Sequence, residues 1–242
     1  MKNIKNSVLI FAGSGGLGLE ICKKFLLEDF NVFFTSQNNL TLVKTLKLLK
    51  KNNKVNKNNI IKGFSCNATN ENNIKTCLKK FFKQDIKKSI IINCIGSFDY
   101  DGIASISLKK LTEIFKINTI PTILISKYTS VYKKKTDKIG IFSIGSSSSY
   151  DGFYKTIAYC ASKHALLGAI KSLNKELIKK NIYNVNINPG SIKTKMGKKV
   201  KNQKYSEFIS PVSIANFIFD LSKFLFYIRC LIFHMLYLIL DT

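Results

Sequence analysis

Histidine, proline and acidic side chains are scarce: two histidines and three prolines stand in 242 residues, and 14 Asp and Glu face 39 Lys and Arg. Two histidines leave a His-rich metal centre short of ligands, and none of the six cysteines (Cys22, Cys66, Cys77, Cys94, Cys160, Cys230) is spaced C-x-x-C. That pattern favours reduced, packed thiols in a cytosolic setting over a zinc site or a disulfide frame, so no metal is expected. Met1, Lys2 and Asn3 lead straight into a short apolar run without the longer run and small-residue cleavage site of a signal peptide, so export is not expected and a cytoplasmic location is. The formal charge of +25 would attract nucleic acid or anionic lipid. The lysines are spread through every predicted helix and loop, however, and no zinc-finger, RRM or KH pattern accompanies them, so no nucleic-acid partner is expected. No internal repeat and no linker divides the chain, whose length suits one large α/β domain.

What the chain does contain is a serine thirteen positions before a tyrosine that has lysine at i+4: Ser146, Tyr159 and Lys163, within S-S-S-S-Y-D-G-F-Y-K-T-I-A-Y-C-A-S-K. Residues four apart are neighbours on a helix, so the ammonium can sit close to the phenol. A free phenol, with a pKa of about 10, exchanges protons poorly at neutral pH. A cation about 4 Å away is worth up to about 4 kcal/mol at an effective dielectric near 20, which would lower that pKa by roughly 3 units. Tyr159 would then serve as a general acid or base, and Ser146, at the end of a strand, would offer a hydroxyl where charge develops. The plain alternative is a surface contact, since Tyr-x-x-x-Lys arises easily in a lysine-rich chain. Of the ten tyrosines, though, only Tyr159 carries lysine at i+4.

At the other end of the chain, the apolar run Ser7 to Phe11 leads into Ala12-Gly-Ser-Gly-Gly-Leu-Gly18 and then a helical pattern from Leu19 to Glu28. Strand, glycine turn and helix in that order make an anion site, because the helix start aims free N–H groups and its positive dipole end at a phosphate. A second apolar run, Asn31 to Thr35, ends in Ser36 and Gln37, where a dinucleotide fold meets the adenosine ribose. A carboxylate there would hold the 2′-hydroxyl of NAD and repel the phosphate of NADP; the neutral pair favours NADP(H) over NAD(H).

Further strands are expected over Ile60 to Cys66, Ser89 to Cys94, Ile139 to Ile144 and Asn184 to Asn188. Helices are expected over Asn39 to Lys51, around Ile74 to Phe82, over Leu108 to Ile117, Ile123 to Lys134 and Pro211 to Leu221, besides the one carrying Tyr159. Alternation of this kind requires right-handed parallel crossovers and hence a single doubly wound α/β Rossmann domain, a mostly parallel sheet with helices on both faces. Asn118, interrupting helical periodicity, reads by itself as a bend or cap. The polar, basic stretch Ser191 to Ser210 reads as a mobile substrate lid.

Taken together, these motifs resemble the short-chain dehydrogenase/reductase family of single-domain Rossmann oxidoreductases over roughly residues 5–222. The loop Ala12 to Gly18 is similar to the family's glycine motif, N-C-I-G at Asn93 to Gly96 to its N-N-A-G, and Y-C-A-S-K at Tyr159 to Lys163 to its Y-x-x-x-K. The family's helix asparagine falls on Asn118, its active serine on Ser146, and its P-G-x-x-x-T on Pro189 to Thr194. The resemblance implies an NAD(P)-dependent oxidoreductase that moves a hydride between the cofactor and a carbonyl or alcohol. Asn118, Ser146, Tyr159 and Lys163 would form the catalytic set. Ala12, Gly13, Ser14, Gly16, Leu17, Gly18, Ser36, Gln37, Asn93, Gly96, Pro189 and Gly190 would line the cofactor together with Tyr159 and Lys163. Lys163 would also bind the nicotinamide ribose, Asn118 would hold a relay water, Ile192 and Thr194 would contact the carboxamide, and Asn67 and Ala68 would lie against the adenine. A homodimer or homotetramer is expected.

Against the family's pattern, Ala12 replaces a glycine, Phe11 a threonine, and Cys94 and Asn67 the common Asn and Asp. No glycine follows Gly197, and the end of the chain, 223–242, is a divergent hydrophobic tail appended to a catalytic domain spanning 1–222. Phe224 to Leu240 is broken by Arg229 and His234 and falls short of the roughly 20 apolar residues that a membrane span needs. Packing on the core or on a partner subunit is favoured over membrane contact. The rival function is a non-catalytic dinucleotide-binding regulator or membrane-attached scaffold.

Overall fold

The computed structural model describes residues 5–84, 88–201 and 203–225. The tail beyond residue 225, with Cys230 and the choice between core, partner and membrane packing, lies outside the described residues.

Six strands form one parallel sheet: β1 (Ser7–Phe11), β2 (Asn31–Ser36), β3 (Ile61–Ser65), β4 (Ser89–Asn93), β5 (Ile139–Ile144) and β6 (Ile182–Ile187), in the order β3-β2-β1-β4-β5-β6. The helices are α1 (Gly16–Leu27), α2 (Asn39–Lys50), α3 (Glu71–Phe82), α4 (Leu108–Asn118), α5 (Ile120–Tyr132), α6 (Ile157–Leu177) and α7 (Pro211–Leu225). β1 is buried along its whole length, and alternation of side chains splits it between two cores. Val8 and Ile10 join Ile21, Phe25, Ile218 and Phe219 of α1 and α7 on one face. Leu9 and Phe11 join Ile74, Leu78, Phe81 and Ile125 of α3 and α5 on the other. Each such fully buried side chain is worth about 1.5–3 kcal/mol relative to exposure. The doubly wound arrangement expected from the sequence is therefore the observed one.

The strand order reverses between β1 and β4, and a crevice opens at the carboxyl ends of such a pair. Helix caps sharpen the contrast around it. Asn38, Asn70 and Ser107 cap α2, α3 and α4 with their own side chains, whereas Gly15 leaves the start of α1 uncapped. Boundaries differ from the expected ones where backbone geometry decides. α1 begins at Gly16 rather than Leu19, and α5 begins at Ile120 because Pro121 is tolerated in a first turn, where no partner is needed for its missing N–H. β6 begins at Ile182, directly after Asn181 turns the chain at φ +58°. α7 runs unbroken past residue 222 to Leu225.

Candidate active site

At the switch point lies a cleft of about 640 Å³, walled on one side by Ala12 and Ser14 to Gly18 and on the other by Ser146, Tyr159 and Lys163. Among the described residues no acidic side chain lines it, while Lys163, Lys195 and Lys201 do. The glycine wall is shaped by missing side chains. A Cβ on Gly18 would stand 2.3 Å from the Ala12 carbonyl oxygen, and one on Gly13 would stand 2.7 Å from Phe34 Cβ, so the turn closes tightly onto α1 and β2. Gly16 adopts φ +52°, where a side chain is strained. Ala12 adopts φ +56° in spite of its Cβ, and its N–H donates to Thr35 Oγ1 at 3.0 Å. An uncapped helix start, a tight turn and no carboxylate together fit a pyrophosphate.

On the opposite wall, the end of β5 delivers Ser146 and the first turn of α6 delivers Tyr159, both lining the same cleft. Lys163, one turn further along α6, lies with Nζ 5.8 Å from the Tyr159 ring centroid and donates to the Ile144 carbonyl at 2.9 Å. The electrostatics depart from the sequence expectation. Burial pushes the Tyr159 phenol above its usual range, and the Ser146 hydroxyl pulls it part of the way back. Burial also draws the Lys163 ammonium down to about 8, because the charged form loses water. Desolvation is thus the largest cause of both shifts.

The expected residues divide by position. Gly96, Pro189, Gly190, Ile192 and Thr194 line the cleft with the glycine loop and the Ser146 wall. Gly13 is buried beneath the loop. Ser36 ends β2, Gln37 follows it, and Asn67 and Ala68 follow β3, further along the same sheet edge; Ser36 is buried and donates to Asn38 O, and Gln37 is exposed. Asn93 does not turn its side chain to the cleft: Nδ2 donates to Thr122 Oγ1 at 2.8 Å and Oδ1 accepts from Ile95 N at 3.0 Å. Asn118 sits behind Gly96, accepting from Ser97 N at 2.7 Å and donating to Ser97 O and Ser162 Oγ, each at 3.0 Å. A Cβ on Gly96 would lie 3.7 Å from Asn118 Oδ1 and 3.9 Å from Lys163 Nζ, so this glycine borders both groups.

The segment read as an aperiodic lid is structured at its base. Ile192 and Ile209 form a parallel bridge, Gly197–Lys199 and Tyr205–Glu207 are single 3-10 turns, and the Lys201 N–H donates to the Tyr100 hydroxyl at 2.7 Å. Three contributors escaped sequence reasoning. Phe98 packs edge-on against Tyr159 with centroids 4.9 Å apart. Asn188 Oδ1 accepts from Ser146 N at 3.2 Å and Ser149 Oγ at 3.0 Å, fixing the turn that presents Ser146. Asp101 is buried beside the start of α6. The position of Asn188 just before Pro189-Gly190 was the one signal available.

The profile of the short chain dehydrogenase family matches residues 6–205. The chain belongs to this family, the nicotinamide-dependent short-chain dehydrogenases/reductases. A 3-oxoacyl-acyl-carrier-protein reductase FabG of Buchnera aphidicola subsp. Schizaphis graminum is 31% identical over 215 residues, covering 88% of this chain and 84% of that protein. Carbonyl reductase family member 4 of Xenopus laevis is 27% identical over 210 residues, covering 83% and 81%. Among solved structures, ElxO with NADP bound superposes with a TM-score of 0.80 at 24% identity over 90% of this chain and 91% of that one. A short-chain type dehydrogenase/reductase from Mycobacterium ulcerans reaches 0.81 at 15% identity, over 90% and 83%. At those identities the structures speak for the fold alone. Among the described residues, no helix is long and apolar enough to cross a membrane.

Proposed function

We propose that the protein is an NADP-preferring carbonyl reductase, or alcohol dehydrogenase in reverse, with Tyr159 as general acid or base and Ser146, Lys163 and Asn118 completing the set. The observation that carries this reading is the convergence of Tyr159, Ser146 and the buried Lys163 on one cleft whose other wall is the uncapped start of α1. Ala12 to Gly18 would hold the phosphates, Asn67 and Ala68 the adenine, and Ile192 and Thr194 the carboxamide. When bound, the nicotinamide supplies or accepts the hydride.

In the reducing direction, a phenol raised by burial stays protonated at neutral pH and donates its proton to the carbonyl oxygen. The Ser146 hydroxyl donates to the same oxygen as negative charge gathers there. Lys163 then holds the phenolate that Tyr159 leaves, an interaction stronger in the transition state than before it. Asn118, tied to both backbone groups of Ser97, keeps the space in front of Gly96 in shape for reprotonation. The NADP preference rests on neutral Ser36 and Gln37, where no carboxylate repels a 2′-phosphate. A cytoplasmic homodimer or homotetramer completes the proposal, with light scattering as its check.

NADPH oxidation across a panel of carbonyl compounds tests the proposal. Because curated relatives are 3-oxoacyl-acyl-carrier-protein reductases, a 3-oxoacyl thioester heads the panel. Turnover with at least one member is expected; tight dinucleotide binding with no turnover on any would point instead to the regulator.

A further inference from the structure

Tyr159 stands in the first turn of α6, whose N-cap residue offers no cap: the Thr156 hydroxyl donates to Phe153 O at 2.8 Å and lies 3.2 Å from the Cys160 thiol. The Ala158 N–H is taken instead by Asp101 Oδ2 at 2.9 Å, across 57 positions of sequence. The Asp101 backbone closes the same junction, its N–H donating to Lys155 O at 2.7 Å and its bridge to Thr156 running parallel. Lys155 holds φ +56° there, a conformation that a lysine adopts only where its surroundings impose it. Asp101 is 2 % exposed. A carboxylate that dry is costly unless hydrogen bonds and a positive helix end offset its lost hydration, and the start of α6 supplies both.

The loop that carries Asp101 also touches the tyrosine and the lid. The Phe98 ring meets Tyr159 edge-on, Phe98 O accepts from Lys199 Nζ at 3.5 Å, and the Tyr100 hydroxyl accepts from Lys201 N at 2.7 Å. We propose that Asp101 is a positioning residue for Tyr159: it pins the first turn of the catalytic helix to the Phe98–Asp101 loop on which the lid rests, so one loop sets both the aim of the phenol and the seat of the lid. The inference rests on Tyr159 being the acid or base.

The test compares Asp101→Ala, Asp101→Asn and Tyr159→Phe in the full chain, reading kcat and NADPH affinity separately. Loss of the pin is expected to lower kcat about 10- to 100-fold, as small misplacements of reacting groups do, with NADPH affinity unchanged. Asp101→Asn keeps an oxygen for the Ala158 N–H and should stay within about threefold of the parent, since Asn and Asp cap equally well. Asp101→Ala at parental kcat, or an equal fall in kcat and NADPH affinity that Asn does not rescue, overturns the proposal. If Asp101→Ala does not fold, Asp101→Glu, which displaces the oxygen by one methylene, must show the kcat loss; parental kcat in that variant overturns the proposal too. Turnover retained by Tyr159→Phe rejects the underlying mechanism, whereas an inactive Tyr159→Phe beside a fully active Asp101→Ala rejects the positioning role alone.

Discussion

The two walls of the cleft are built on opposite principles. The glycine wall is made by leaving side chains out: a Cβ on Gly18 would strike the backbone of Ala12, one on Gly13 would strike Phe34, and Gly16 takes a left-handed φ. The Tyr159 wall is made by pairing polar side chains with distant partners, the buried Asn118 with Ser97, the buried Asp101 with Ala158 and the half-buried Asn188 with Ser146. A wall of omissions tolerates no addition. A wall of pairings tolerates no orphan, because a buried polar group that loses its partner bears the full cost of its desolvation.

The comparison can be broken most sharply at Gly18. Gly18→Val would drive carbon into the Ala12 carbonyl, and about 3 kcal/mol of stability should be lost with dinucleotide binding; urea unfolding and NADPH titration read both. On the other wall, burial of Lys163 gives a pH signature. Its folded pKa, about 8, lies below the unfolded value near 10.5, so between those values the unfolded chain binds the extra proton and stability rises with pH. Up to about 3 kcal/mol should appear across that window in the cofactor-free protein and vanish in Lys163→Met. At the ribose end, Gln37→Arg should tighten NADPH about 10-fold over NADH through a charge-assisted bond to the 2′-phosphate, measured as the ratio of the two dissociation constants. The smallest effect belongs to Ala12→Gly, which relieves φ +56° and should raise stability by about 0.5–1 kcal/mol in urea unfolding.

The same contrast decides what could be read from the chain alone. The glycine wall is local: strand, turn and helix follow one another within Ser7–Leu27, and their chemistry is written in spacing. Buried parallel strands such as Ser89–Asn93 were legible for the same reason, as unbroken apolar runs. The pairings of the Tyr159 wall span 42 positions for Asn188 and 57 for Asp101, and no periodicity announces a contact at that range. Asn93 illustrates the converse, since a motif position does not say whether its side chain faces the cleft or, as here, Thr122. The Tyr159 phenol lies above its ordinary range, against the expectation, because i+4 spacing places the lysine but does not reveal how dry the phenol becomes. Sequence shows neighbours along a helix; only the packed fold shows how much water is left between them.

Turnover and NADPH binding measured side by side in Tyr159→Phe test the central claim most directly. Removal of one hydroxyl is expected to abolish NADPH oxidation on every substrate that the parent accepts, with the dissociation constant for NADPH nearly unchanged. Oxidation at a rate near the parent's would contradict the account, because the proton would then be coming from elsewhere.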